Sequence, residues 1–206
     1  QRHTGQQFEH HVWHDGAVGQ RCVTVLEDAR NAGVAQPVGD QRLAPDVMGL
    51  WLRLPAVEPF RWQCGQYIDV MLPGERRRSF SLANPPHDST LLELHVRRAP
   101  GGAFSEQVFT TLGEGSLLRI EGPLGQFVYR PGDRPVLLVG GGTGYAPLKA
   151  MLRQVLETES RREVTLFWGA RTKADLYEDA WLRALAEKHG RFRYFPVLSE
   201  QRAEPP

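Results

Sequence analysis

The sequence predicts a β + α/β protein: an antiparallel β-barrel over residues 41–131, followed by a partial parallel α/β domain over residues 132–206. Three observations carry that prediction. Between residues 42 and 130, short apolar–polar alternations are separated by Pro and Gly. After Pro131 and Gly132 the pattern switches to continuous apolar runs that alternate with helical periods. A glycine cluster, GGGTGYAP (140–147), sits where the first such run meets the first helix.

Residues 1–40 hold no sustained period of 2 or 3.6 and are left unassigned, as a polar segment of little order. His10, His11 and His14 lie close together there. Neighbouring histidines can share an ion, but the plainer reading is a polar tail, and no metal site is expected. From Gln41 onward strands appear. VMGLWLRLP (47–55) sets Met48, Leu50, Leu52 and Leu54 on one face and Gly49, Trp51 and Arg53 on the other. YIDVML (67–72) and LLELHVRR (91–98) alternate likewise, and SLLRI (116–120) adds a shorter apolar run. Breakers such as Pro73, Gly74, Pro85, Pro86, Pro100 and Gly101 fall between them, as hairpin connections require.

The second half begins with PVLLV (135–139), whose continuous apolar character predicts a strand buried on both faces. APLKAMLRQVLET (146–158) places Leu148, Met151, Leu152, Val155 and Leu156 at helical spacing. VTLFWG (164–169) reads as a second buried strand, DLYEDAWLRALAEKH (175–189) as a helix and RFRYFPVLS (191–199) as a third strand. Strand–helix–strand–helix–strand opens a parallel sheet. Three strands are few for a complete nucleotide-binding domain, so truncation is expected.

Charge excludes some functions. Lys+Arg number 25 against 24 Asp+Glu, a net charge of +1 that gives no field for nucleic acid or anionic membrane. No apolar run approaches the ~20 residues of a membrane-spanning helix. No secretory signal is visible, and Cys22 and Cys64 are too few for a disulfide scaffold, so a reducing, cytoplasmic setting is expected.

GGGTGYAP is placed as a phosphate loop would be. Glycines let the backbone approach a diphosphate, and the first amides of the helix point at its oxygens. Pro147 suits the first helical turn. The loop departs from the usual dinucleotide fingerprint, because the sixth position from Gly140 is Tyr145, and it is not a Walker A loop. A second candidate anion site is APGGAFSEQVF (99–109), where two glycines and the Ser105 hydroxyl precede a short helix. The third is the run RRRSFSLANPP (76–86). Strand alternation lets at most two of Arg76, Arg77 and Arg78 share a face. The plain reading is a solvated turn with one or two arginines in water; the functional reading sets one arginine against a phosphate, the others extending the positive approach to it. Together these features suggest two nucleotide cofactors.

With RSFS (78–81), GGAFS (101–105), EGPLGQF (121–127), GGGTGYAP (140–147), WGARTKADLY (168–177) and PVLSE (196–200) in order, the chain resembles the ferredoxin–NADP reductase superfamily over residues 41–200. It looks most similar to NADH-dependent reductases of the CDP-6-deoxy-3,4-glucoseen reductase type. The resemblance implies an antiparallel flavin-binding β-barrel followed by a partial parallel α/β nucleotide-binding domain. Arg78 would hold a flavin phosphate through a planar guanidinium. Phe80, where the family usually has Tyr, would stack on the isoalloxazine ring. Ser81 would sit by flavin N5 and is the one catalytic candidate, as a proton relay. His95 would meet the flavin mostly through backbone, and Gly102, Phe104 and Ser105 would line the pyrophosphate. Gly142, Thr143 and Gly144 would hold the nicotinamide dinucleotide, with Gly169 and Arg171 by its adenosine end.

The implied activity is hydride transfer from NAD(P)H to bound FAD, with electrons passed to a separate acceptor, protein or small molecule. Two isolated cysteines cannot build the plant-type iron–sulfur cluster that many relatives carry. NADH is favoured by the resemblance. NADPH stays open, because the second strand ends Gly169-Ala170-Arg171-Thr172-Lys173, without an acid for the ribose. The family's later nicotinamide-contacting segment, with its Cys-Gly, is not in this sequence, which raises an alternative: a flavin-binding module without turnover. Single-strand nucleic-acid binding is set aside, since basic and aromatic residues are not interleaved along the strands.

Overall fold

Period-2 alternation builds the first sheet, and the structure, a computed structural model, describes residues 32–54, 60–74, 76–87, 91–113, 116–159 and 161–200. His10, His11, His14 and Cys22 lie outside the described residues. Six strands, β1 (Ala32–Ala44), β2 (Val47–Arg53), β3 (Tyr67–Leu72), β4 (Arg76–Ser81), β5 (Leu91–Arg97) and β6 (Leu118–Leu124), pair antiparallel in the order β4-β3-β6-β1-β2-β5. Just past β4, Leu82 bridges Leu94 of β5 and the Ala83 N–H donates to the Glu93 carbonyl at 2.8 Å. The two edges of the sheet therefore meet, which closes it into a barrel. Ile68, Val70, Leu92, Leu94, Val96 and Ile120 fill its interior. Helix α1 (Ala103–Thr110) plugs it with Phe104 and Val108.

The barrel starts earlier than the expected boundary at residue 41. Residues 32–35 already pair with β6, and 36 onward with β2. Register shifts between Pro37 and Gly39 and between Arg42 and Ala44 break the alternation of this strand. Bulges of this kind hide a strand from a period-2 reading.

The second sheet is parallel: β7 (Val136–Gly141), β8 (Val164–Ala170) and β9 (Phe192–Leu198), in that order. Helices α2 (Tyr145–Thr158) and α3 (Asp179–Lys188) make the crossovers. Two successive crossovers of the same hand put both helices on one face. That face buries Leu138, Leu166 and Trp168 against Leu148, Leu152 and Leu182. The opposite face is open among the described residues: Leu137 is 65% exposed, Val139 66%, Phe195 45% and Val197 49%. The expected burial of PVLLV on both faces is thus corrected to one face. α3 also begins at Asp179 rather than Asp175. The Thr172 amide and hydroxyl both donate to Asp175, which closes a separate short turn at Lys173–Asp175. No helix among the described residues is long and apolar enough to cross a membrane.

The two halves are joined along α2. Cys64, in the turn before β3, packs into the second core with Met151, and its carbonyl accepts from the Tyr129 N–H at 2.9 Å. His87, just past the barrel's β4, reaches Glu157 at 2.7 Å and Gln154 at 3.1 Å. On β5 the residues between the inward leucines, Glu93 and His95, are buried as well, because the α/β half covers the outer face of that strand.

Candidate functional site

Strand β4 sorts its arginines. Arg78 pairs with Val70 and Phe80 with Ile68, so these two side chains share one face of the sheet, while Arg77, Ser79 and Ser81 share the other. Arg77 is committed to Glu121 at 2.5 Å, with Asp69 at 4.0 Å. Arg76 donates to the Pro73 carbonyl at 3.2 Å. Arg78 is exposed, donates one hydrogen bond to the Arg77 carbonyl and makes no ion pair among the described residues. Phe80 lies against Phe104, with ring centroids 5.2 Å apart and planes at 51°. Arg78, Phe80 and the start of α1 therefore lie at one end of the barrel. Ser81 is half-buried at the end of β4, opposite Tyr67.

The turn before α1 differs from expectation in one respect. The Ser105 hydroxyl accepts from the Ala99 N–H at 3.0 Å and donates to the Gly102 carbonyl at 2.9 Å. It shapes the turn from inside rather than presenting itself outward. Gly102 is the N-cap of α1, with no side-chain cap on the first amides, which leaves them for an outside acceptor. A Cβ on Gly102 would meet the Ser105 hydroxyl at 2.7 Å.

At the end of β7 the chain turns through Gly142–Gly144 into α2. Gly142 has φ +53°, the left-handed region that disfavours side chains, and its carbonyl accepts from the Trp168 indole N–H at 2.9 Å. Tyr145, the residue that departs from the dinucleotide fingerprint, is fully buried. It stacks on Trp168 with centroids 4.1 Å apart, and its hydroxyl donates to Glu178 at 2.8 Å. A large ring here anchors the turn from beneath, where the fingerprint uses a small residue for close helix–strand packing.

A cleft of about 310 Å³ opens at the carboxyl ends of the parallel strands, lined by Arg97, Gly142, Gly169, Arg171, Asp175 and Ser199 among others. Three residues named from sequence, Gly142, Gly169 and Arg171, are thus brought together, and Thr143 and Gly144 continue the same turn. Arg97 and Asp175 were missed. Arg97 comes from β5 of the barrel and lies over the glycine turn: a Cβ on Gly142 would sit 3.3 Å from its Nη1. Its Nε and Nη2 are buried without a hydrogen-bond partner, although Asp46 is 3.3 Å and Asp175 4.0 Å away. Hydrogen bonding from the Thr172 amide, aided by the Arg171 and Arg97 charges, holds the Asp175 carboxyl below its usual range. The only sequence signal for Arg97 was the pair of arginines ending LHVRR, whose second member, Arg98, instead pairs with Glu106 at 2.7 Å. His95 sits apart from the cleft, its ring nitrogens 3.0 Å from Glu93 and 2.9 Å from the Tyr177 hydroxyl.

Two families match this chain in order: the oxidoreductase FAD-binding domain over residues 38–129 and the oxidoreductase NAD-binding domain over residues 138–205. The chain belongs to the ferredoxin reductase-like family. Its relatives in that family include terephthalate 1,2-dioxygenase reductase component 1 of Comamonas, 38% identical over 174 residues, covering 84% of this chain and 52% of the relative. CDP-6-deoxy-L-threo-D-glycero-4-hexulose-3-dehydrase reductase of Yersinia pestis is 39% identical over 157 residues, covering 76% and 47%. Among solved structures, the Amycolatopsis cytochrome P450 reductase GcoB superposes with a TM-score of 0.76 at 39% identity, covering 84% of this chain and 53% of that one. The chain thus spans about half the length of the relatives it matches. In this ferredoxin reductase-like chain the FAD-binding match falls on the barrel and the NAD-binding match on the α/β half. The cleft and its glycine turn lie in the latter, and Arg97 crosses to them from the former.

Proposed function

We propose that this chain is the nucleotide-binding core of a flavoprotein reductase that takes electrons from NADH, with NADPH as the weaker alternative, and passes them to a separate acceptor. The observation that carries the proposal is the cleft in which a barrel arginine meets the glycine turn of the α/β half, so that one dinucleotide would touch both halves. The donors suit such a ligand. Arg97 has two buried guanidinium nitrogens without hydrogen-bond partners, and a diphosphate supplies acceptors for them. Gly142, Thr143 and Gly144 put backbone at the same place, and Gly169 and Arg171 line its far side.

On the barrel, Arg78 would hold the flavin phosphate, Phe80 would pack on the ring system, and the α1 turn at Gly102, Phe104 and Ser105 would support the pyrophosphate. Ser81 holds a proton at its Oγ at the end of β4, and His95 contributes backbone alone. Bound FAD would supply the hydride acceptor and the step from paired to single electrons. The chain contributes proximity and orientation of the two nucleotides. The relatives' names, reductase components or subunits of a dioxygenase, an O-demethylase and a monooxygenase, support a protein acceptor. A cytoplasmic setting is part of the proposal, since Cys64 is a free buried thiol, the form a reducing compartment keeps.

The test is steady-state turnover of the FAD-loaded chain with NADH and ferricyanide, a one-electron acceptor standing in for the natural one. FAD-dependent ferricyanide reduction is expected. Binding of both nucleotides with no turnover would leave a binding module and remove the reductase reading.

A further inference from the structure

Between the barrel and the α/β half lies a closed polar cluster that the reading above does not use. Lys149, one turn into α2, places Nζ 2.8 Å from Glu93 Oε1 on β5 and 2.6 Å from Glu178 Oε1 ahead of α3. Glu93 Oε1 also accepts from His95 Nε2 at 3.0 Å, His95 Nδ1 meets the Tyr177 hydroxyl at 2.9 Å, and the Tyr145 hydroxyl donates to Glu178 Oε2 at 2.8 Å. The side chains are nearly sealed from solvent: Glu93 is 6% exposed, Lys149 12% and Glu178 14%.

We propose that Lys149 is a positioning residue that fixes the angle and spacing between the two nucleotide sites. This rests on the reductase reading above. The glycine turn and α2 are one continuous segment, Gly142 to Thr158, so whatever holds Lys149 holds the turn. β5 carries Glu93 and His95 on the face toward α2 and ends in Arg97 over the same turn. An apolar contact tolerates sliding between two packed surfaces. A buried ammonium between two carboxylates does not, because any shift leaves a charge without its partner. Burial drives the Lys149 ammonium toward the neutral form, but the two carboxylates outweigh it and keep the group charged. Glu93 and Lys149 thus set one register between barrel and α/β sheet.

The test compares wild type with Lys149→Met and Glu93→Gln, each loaded with FAD under anaerobic conditions and mixed with NADH. Wild type must first bleach. If it does not, the reductase reading fails and this inference is removed with it. Given bleaching, Lys149→Met should keep its FAD content and its NADH affinity while the bleaching rate at saturating NADH falls by about tenfold or more, within the roughly hundredfold that a misplacement near 1 Å can cost. The long-wavelength absorbance that reports ring contact between flavin and nicotinamide should weaken in parallel. In the cofactor-free protein, chymotrypsin should cut after Phe127 or Tyr129, in the segment between the halves where Phe127 is exposed, faster than in wild type. Glu93→Gln keeps the shape and one acceptor and should fall between the two. Unchanged rate and absorbance in both variants would overturn the proposal. So would loss of FAD or of cooperative unfolding in both, since that would make the cluster a stability element only.

Discussion

The rings of Tyr145 and Trp168 stack at 4.1 Å with their planes 19° apart, beneath the glycine turn and out of contact with solvent. The pair joins the first residue of α2 to the last buried residue of β8, and the Trp168 indole holds the Gly142 carbonyl. Truncation of Tyr145 to Ala leaves a ring-sized void and is expected to lower the unfolding free energy by about 3–5 kcal/mol. Tyr145→Phe keeps the stack and removes only the bond to Glu178, which retains Lys149, and should cost about 1 kcal/mol. Urea denaturation at constant slope measures both.

Arg97 is expected to matter to ligand more than to fold. Its guanidinium is partly exposed and pairs with Asp46 at 3.3 Å and Asp175 at 4.0 Å, so Arg97→Met should lower the unfolding free energy by no more than about 1 kcal/mol. The same substitution removes a charge-assisted donor from the cleft and should weaken NADH binding by roughly tenfold, while FAD binding stays put. Titration calorimetry with each nucleotide separates the two. An equal loss for both would remove Arg97 from the dinucleotide site.

The three arginines of β4 should not behave alike. Arg78→Lys keeps the charge and loses the planar fork, and is expected to weaken FAD binding by about tenfold, Arg78→Ala by more. Arg77→Ala breaks a half-exposed pair with Glu121 and should change stability by no more than about 1 kcal/mol. Its FAD affinity should match wild type. Fluorescence quenching of free FAD on titration with protein reads this directly.

Burial pushes the Glu93 carboxyl up, yet the His95 hydrogen bond and the Lys149 charge together outweigh it and hold the group at about 2. A folded-state value below the unfolded one gives stability that is present above the ordinary carboxylate range and lost as pH falls through the folded value. Wild-type stability should therefore be flat near neutral pH with respect to this group and decline from about pH 4.5 downward. In Glu93→Gln that portion of the acid limb should be missing. Denaturant midpoints taken across pH 2–7 for both proteins show whether the limb moves.

How much of this was legible in the sequence depends on the range of the interaction that decides it. α2, β8 and β9 were visible because local period and apolar content agree with the tertiary outcome. Met48, Leu50 and Leu52 face the core as their alternation requires. β1 was invisible because its bulges at Pro37 and Arg42 break the period that would reveal it. PVLLV misled because an apolar run reports hydrophobicity, and which face is covered follows from both crossovers lying on one side. In the sequence Glu93 and His95 are simply the polar positions of an alternating strand, with nothing local to say what covers them. Only the docking of the α/β half, dozens of residues away in sequence, buries them. Arg97 failed to stand out for the same reason: its meaning lies in Gly142, across the junction. Around the candidate site, the turns that carry Gly102 and Gly142–Gly144 were readable as turns from local chemistry, and the residues placed by long-range contact were not.

The reductase reading requires that one chain carry both nucleotide sites in communication. An anaerobic absorbance spectrum of the FAD-loaded chain, before and after NADH, tests it most directly. The protein should be yellow, with a flavin band at ~450 nm that bleaches on mixing, the ring chemistry being the cofactor's own. A chain that holds FAD and stays yellow at saturating NADH would contradict it.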